Sequence, residues 1–283
     1  MNNTKKVIVH MGFHKTGTTS LQAYLQTYRK DLKPFADIYM KKQLGTASSA
    51  GRFYGQRPWY GQQLLFRRAF RKFLQTVSDA PVIVISRETF VGIMPGHRRL
   101  GFIRAKAVGK TASVLAQEVT RGLRQRFGQD AEIILLYTTR EKLSWLKSVW
   151  GHVVRSIDLT QDREAFVAEL SDMNSLEDEV AIIAKNVPDA KVMWRSLDEL
   201  KTQPTGPATA VLDLLNLPQG FVEKHPVKSV NNVAETYEMQ LQFLELNRTM
   251  KDKSALAIEK AKLADELRTA RGLNPVFERR VKF

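Results

Sequence analysis

Residues 6–20 read KVIVHMGFHKTGTTS: a short apolar run from Lys6 to Met11, a turn bracketed by Gly12 and Gly17, then the start of a helix. A nearly continuous apolar run of this length is the pattern of a strand buried on both faces. Beyond the turn, Leu21, Tyr24, Leu25 and Tyr28 recur at helical spacing and mark one buried face. Strand, glycine turn and helix open a βαβ unit, and the alternation continues down the chain. Further strands are predicted at 81–86, 131–138 and 191–194, and helices at 64–77, 112–127, 141–154, 162–185, 207–215, 234–250 and 254–271. Residues 41–62, rich in small residues without a clear period, read as a loop or cap. Residues 92–110 read as a mobile loop and 218–232 as a Pro-bounded loop. The expectation is a single α/β domain over residues 1–283, with a central parallel sheet covered by helices and a helical C-terminal extension at 234–283.

The turn compares with the phosphate-binding pattern G-x-x-x-x-G-K-[ST]. Gly12, Gly17 and Thr19 match it, but Thr18 stands at the lysine position and the lysine comes three residues earlier, as Lys15. Backbone N–H groups and a helix N-terminus cradle an anion whatever that side chain is. A nucleotide triphosphatase needs its lysine on the terminal phosphates and a metal bridging them. A P-loop-type three-layer fold is therefore expected, with a different anion being transferred.

Residues 10–20, HMGFHKTGTTS, resemble the 5′-phosphosulfate loop of sulfotransferases, in particular the bacterial and carbohydrate branch. The donor in that family is 3′-phosphoadenosine 5′-phosphosulfate (PAPS), leaving 3′,5′-ADP as product. The resemblance implies that His14, Lys15, Thr16, Gly17, Thr18, Thr19 and Ser20 bind the donor. A second likeness follows the third predicted strand, where Thr138-Thr139-Arg140 and Ser148 resemble the family's Arg and Ser that hold the donor's 3′-phosphate. A guanidinium fork and a hydroxyl suit phosphate oxygens. Glu141-Lys142 stand here where the family often has Asn or Asp followed by Pro. Fainter likenesses lie at 192–200, expected to be structural, and at 230–233 with Leu246-Asn247-Arg248, similar to a C-terminal substrate and nucleotide loop. Residues 41–126 carry no family motif.

The resemblance implies metal-independent, in-line sulfuryl transfer to a hydroxyl or amine of a carbohydrate, glycolipid or other acceptor. Charge builds on the leaving phosphate oxygen, so a fixed cation is the natural stabiliser, and Lys15 is the candidate. The acceptor must lose a proton. Glu88, at the end of the second predicted strand, is the first candidate base, because ligands of open α/β sheets gather at strand C-termini. Carbohydrate members are similar in carrying a catalytic Glu near this point. The alternative is that Glu88 only neutralises Arg87. His14 is the second candidate base, while His97 and His152 read as structural or surface residues. Arg87, Arg98 and Arg99 are candidate acceptor contacts.

Lys and Arg number 44 against 29 Asp and Glu, a net charge of +15. Residues 51–126 hold 15 of the basic residues and only three acids, Asp79, Glu88 and Glu118, a local balance of +12. This excess lies outside the donor motifs and predicts an anionic acceptor. Phe53, Tyr54, Trp59 and Tyr60 either stack on sugar faces or form a small core under the loop. Abundant large apolar residues exclude disorder. No apolar run approaches the roughly 20 residues of a transmembrane helix, and the N-terminus is a poor signal peptide. With no cysteine, disulfides, thiolate catalysis and Cys-based metal sites are excluded. A bacterial cytoplasmic enzyme without a metal or a nucleic-acid partner is expected, its C-terminal helices candidates for homodimerisation. Two other readings stay open: a phosphotransferase using ATP and Mg²⁺ on the same scaffold, and a non-catalytic polyanion or nucleic-acid binder.

Overall fold

The computed structural model describes residues 4–100, 103–227 and 236–269. The elements run β1 (Lys6–His10), α1 (Thr18–Thr27), α2 (Arg29–Leu32), β2 (Asp37–Tyr39), α3 (Lys41–Leu44), α4 (Thr46–Gln56), α5 (Tyr60–Leu74) and β3 (Val82–Ser86). A 3₁₀ turn (Glu88–Val91) leads to the small hairpin β4 (Arg98–Arg99) and β5 (Ile103–Arg104), then α6 (Gly109–Phe127), β6 (Glu132–Thr139) and α7 (Lys142–Ser156). The chain continues through α8 (Arg163–Glu169), α9 (Leu176–Asn186), β7 (Lys191–Ser196), α10 (Leu197–Leu200), α11 (Thr209–Leu212), α12 (Phe221–Lys224), α13 (Tyr237–Thr249) and α14 (Lys253–Thr269).

Described residues up to Trp145, with those of 172–227, form one compact unit. Its sheet is parallel throughout, in the order β2-β3-β1-β6-β7. Alternation along the strands divides the core. Ile8, Ile38, Val84, Ile134 and Leu136 pack with Leu21, Tyr24 and Leu25 of α1, Val211 and Leu212 of α11 and Phe221 of α12. Val7, Val9, Ile83, Ile85, Ile133 and Leu135 are equally buried on the opposite face, the side of α6 and α9. Helices on both faces of a parallel sheet give three layers.

Leu146–Ser171 and the described residues of 236–269 form the second unit. Here α13 and α14 hold the C-terminal turn of α7. Asn247 Nδ2 donates to the carbonyls of Val154 (2.9 Å) and Leu159 (2.7 Å). Lys260 Nζ donates to Val154 and Ile157, each at 2.8 Å. The last carbonyls of a helix lack intrahelical donors, and these two side chains supply them. The region expected as a C-terminal extension thus shares its unit with residues 146–171.

The sequence expectations need correction at several elements. The strand β2 is absent from them, being only three residues long at the sheet edge. Residues 41–62 are not a loop: α3 and α4 occupy most of them. The buried face of α4 is Ala47, Ser48, Ala50, Gly51, Tyr54 and Gly55, so its helical period is written almost entirely in small residues. A Cβ on Gly51 would stand 2.6 Å from the Thr89 carbonyl oxygen, and one on Gly55 2.5 Å from the Ile93 nitrogen. Small residues are what allow this helix to lie directly on the backbone following β3. Residues 92–110 contain the β4–β5 hairpin and the start of α6, 162–185 break into α8 and α9, and 218–232 include α12. Residues 230–233 lie outside the described residues. Among the described residues no helix is long and apolar enough to cross a membrane.

Candidate functional site

The chain leaves β1 past β3 to reach β2, then returns through β3 and crosses β1 to β6 and β7. With right-handed crossovers, the connection from β1 and those from β3 and β6 lie on opposite faces. A crevice therefore opens beside the carboxyl end of β1, the place where such sheets bind ligands. Register brings three segments to it. His10 pairs with Ser86 on one side and Leu136 on the other, so the Gly12–Ser20 loop, Arg87-Glu88 and Arg140 all follow the ends of adjacent strands.

The loop is fixed from several sides. Lys15 (φ 68°) and Gly17 (φ 88°) are both left-handed with Thr16 between them. That alternation turns successive amide groups toward one side, as in anion-binding nests. A Cβ at Gly17 would also meet Leu197 Cδ1 at 2.7 Å. The buried Thr16 hydroxyl lies 2.6 Å from the Phe13 carbonyl and 2.7 Å from Thr138 Oγ1. Trp145 Nε1 donates to the His14 carbonyl (2.9 Å), and Arg140 Nη1 to the Lys15 carbonyl (3.4 Å). Helix α1 then starts without a side-chain cap, leaving first-turn N–H groups available. Thr18 Oγ1 is buried there without a hydrogen-bond partner among the described residues, and so is Thr139 Oγ1 at the end of β6. Lys15 and Thr19 are exposed and Ser20 half-buried.

Arg140 is half-buried, and its Nε donates to Ser144 Oγ at 2.9 Å. The hydroxyl partnering this guanidinium is thus Ser144, one turn into α7. Ser148 is half-buried another turn along, in the stretch belonging to the second unit.

Glu88 opens the 3₁₀ turn. Its Oε1 pairs with Arg87 Nη1, and its Oε2 accepts from Gln22 Nε2 of α1 at 3.3 Å. Burial pushes its carboxyl up, but the Arg87 charge, a backbone N–H, His14 and Gln22 outweigh this and hold it below the usual carboxylate range. Burial also holds the His14 imidazole at about 4, against the pull of Glu88 and with smaller contributions from His97, Arg87 and Lys15. At neutral pH the site therefore presents an ionised carboxylate beside a neutral imidazole. His97, read from the sequence as a structural or surface residue, contributes to this electrostatic neighbourhood.

Arg87 is buried, with Nε donating to Ser48 Oγ of α4 (2.6 Å), so both ends of its guanidinium serve the protein. Arg99 Nη2 donates to Thr111 Oγ1 (3.0 Å), while Arg98 is exposed on the hairpin. Of the four aromatics, Tyr54 is buried, whereas Phe53, Trp59 and Tyr60 are 45%, 57% and 68% exposed, so they do not share a small core. The sequence reading does not include Gln22, Ser48 or Ser144. Only the Arg140–Ser144 spacing, four residues across a helix start, carries a sequence signal.

Comparison with protein-family models, curated proteins and solved structures finds no match to this chain.

Proposed function

We propose that this protein is a sulfotransferase built on a P-loop-type fold, moving a sulfuryl group from PAPS to a hydroxyl or amine without a metal. One observation carries the reading: the Gly12–Ser20 loop is flanked by Arg140 just past the end of one neighbouring strand and Glu88 just past the end of the other, with Arg140 bonded to the loop's Lys15 carbonyl. The residues present suit such a donor. Left-handed Lys15 and Gly17, the uncapped start of α1 and the orphaned Thr18 hydroxyl form a cradle for an anion.

When bound, the donor supplies the sulfuryl group and a phosphate leaving group. Lys15, with the N–H groups around Gly17–Thr19, neutralises charge developing on the phosphate side. His14, Thr16, Thr18, Thr19 and Ser20 shape the loop and its hydroxyl lining. Arg140, supported by Ser144, holds the 3′-phosphate. Glu88 takes the acceptor's proton, and Arg87 keeps that carboxylate ionised and aimed. The acceptor is an anionic carbohydrate, glycolipid or comparable molecule, met by the exposed Arg98, Arg52 of α4 and Arg57 just beyond it.

Calorimetry with 3′,5′-ADP and 5′-AMP tests the donor site. The 3′-phosphate should improve affinity about 10- to 100-fold, and Arg140→Ala should erase the difference, since a charge-assisted bidentate contact is worth about 1.5–3 kcal/mol. Equal binding of the two nucleotides by the unmodified protein would remove this reading. Glu88→Gln should suppress turnover with PAPS while leaving nucleotide affinity unchanged.

A further inference from the structure

Beneath the loop, a chain of buried polar side chains links the candidate base to the glycine turn. Gln22 Nε2, which reaches Glu88, also lies 3.2 Å from Ser86 Oγ. Ser86 Oγ is 2.9 Å from His10 Nδ1, and His10 Nε2 is 3.4 Å from Thr138 Oγ1. Thr138 Oγ1 is 2.7 Å from Thr16 Oγ1, which meets the Phe13 carbonyl at 2.6 Å. His10, Ser86, Thr138 and Thr16 are all completely buried.

The Phe13 carbonyl at one end and a neutral imidazole within the chain determine the direction of every bond. A carbonyl only accepts, so the Thr16 hydroxyl donates to Phe13 and must accept from Thr138. The Thr138 hydroxyl is then used as a donor, and its oxygen accepts from His10 Nε2–H. At the other end an amide N–H only donates, so Ser86 Oγ accepts from Gln22 Nε2, which lies equally 3.2 Å from the Ser86 carbonyl oxygen; with the ring neutral and its proton on Nε2, Nδ1 accepts from the Ser86 hydroxyl. All donors point one way, from Gln22 to Phe13, and the imidazole can close the chain in only one tautomer. Burial, opposed by Glu88, holds His10 at about 4, which keeps the ring neutral.

We infer that His10 is a positioning residue, held as the neutral Nε2–H tautomer, that fixes the Glu88 side of the site against the donor loop. The catalytic role this serves rests on the proposed sulfotransferase activity, whereas the tautomer and the coupling do not. Imidazole is suited to the task because it offers an acceptor and a donor on opposite sides of one rigid ring. A leucine in its place leaves the Ser86 proton and the Thr138 acceptor unpaired in a dry interior, and such groups are costly.

Long-range ¹H–¹⁵N spectra of histidine-labelled protein, which has five His, test the tautomer directly. The expected result is an Nε2–H pattern unchanged from pH 5 to 8; an Nδ1–H pattern or a charged ring overturns the proposal. Steady-state kinetics with PAPS then compare His10→Leu with His10→Gln, whose amide keeps a donor and an acceptor. Leucine should lower kcat about 10- to 100-fold with a change in donor KM below about threefold, and glutamine should recover most of it. Unchanged kcat in the leucine variant, or equal impairment of both, overturns the positioning role. If the leucine variant does not fold, His10→Gln and the spectra still decide. Should the unmodified protein neither bind 3′,5′-ADP nor turn over PAPS, the activity fails separately. In that case His10→Gln must still shift both the Gln22 side-chain amide and the Thr16 backbone amide; no shift in either one overturns the coupling.

Discussion

Gly12 is the residue at which the loop and the buried polar chain meet. A Cβ there would stand 2.5 Å from both His10 Nε2 and Thr138 Oγ1, and 2.9 Å from Thr18 Oγ1. None of these atoms is the free end of a flexible side chain, so relief requires the strand or the loop to move. Gly12→Ala is expected to destabilise the protein by about 1–3 kcal/mol and to abolish the stabilisation given by 3′,5′-ADP, both read from thermal melts. Titration gives a second expectation. The folded Glu88 carboxyl lies below its ordinary value of 4.5, and His14 lies at about 4. A carboxyl depressed by folding contributes stability above its unfolded pKa and loses it as pH falls through the folded one. The acid limb of kcat/KM should likewise fall below about pH 4.5, with no inflection near 6.5. An inflection near 6.5 would assign the proton to a histidine of ordinary basicity. Lys15, Glu88 and Arg140 are legible in the sequence because each sits in or beside a contiguous motif at a strand end. Gln22, Ser86 and Thr138 are not, because their meeting with His10 depends on the register of three strands and one inward turn of α1.

Among the elements, α6 shows how a helix start can be completed from far along the chain. Its Gly109-Lys110-Thr111 opening has no side-chain cap of its own. Instead Glu179 of α9, almost completely buried, brings Oε2 to 2.5 Å from the Gly109 nitrogen, and Gly109 has no Cβ to obstruct it. The carboxyl oxygen satisfies an orphan donor at the helix N-terminus, where the dipole favours the ionised form. Burial nevertheless dominates and raises the Glu179 carboxyl, against N–H bonds from Gly109 and Val108 and a bond from Asn174. A carboxyl raised by folding contributes stability below its unfolded pKa and loses it as pH rises. Glu179→Gln keeps an oxygen for Gly109 without the titrating group, so its melting temperature should fall less than that of the unmodified protein as pH rises above about 4.5. Glu179→Ala should cost about 1–3 kcal/mol at any pH by stranding the buried N–H. The four longer strands and α1, α5 and α6 are readable because they bury large side chains at a regular period. By contrast, α4 buries mainly Gly, Ala and Ser, a pattern that hydropathy takes for a loop although it lets the helix rest on the backbone that follows β3.

At the scale of the molecule, the +15 charge divides into structural and exposed parts. Glu118 is completely buried and held by Arg67 at 2.6 Å, Arg121 at 2.9 Å and Gln63 at 2.7 Å. Arg124 and Arg126 donate to backbone carbonyls, and Arg87 to Glu88 and Ser48. Much of the +12 in residues 51–126 therefore fastens helices, and the count overstates what faces a ligand. The exposed remainder is concentrated: between Tyr39 and Ser78 there is no acidic residue, and Arg52, Arg57 and Arg68 accompany the exposed Phe53, Trp59 and Tyr60. The two classes should separate experimentally. Arg67→Met removes a partner from a buried carboxylate and should lower stability by about 3 kcal/mol. It should leave elution from a sulfated-polysaccharide column at nearly the same salt concentration. Arg52→Ala, Arg57→Ala and Arg98→Ala should leave melting temperatures within about a degree of the unmodified protein, because exposed charges contribute little to folding. Each should also elute at lower salt, and the triple variant lowest of all, since a surface with fewer guanidinium groups displaces fewer counterions when the polyanion binds. If Arg67→Met instead shifts elution as far as the triple variant does, the charge of α5 belongs to the anion-facing surface after all, and the acceptor spans both helices.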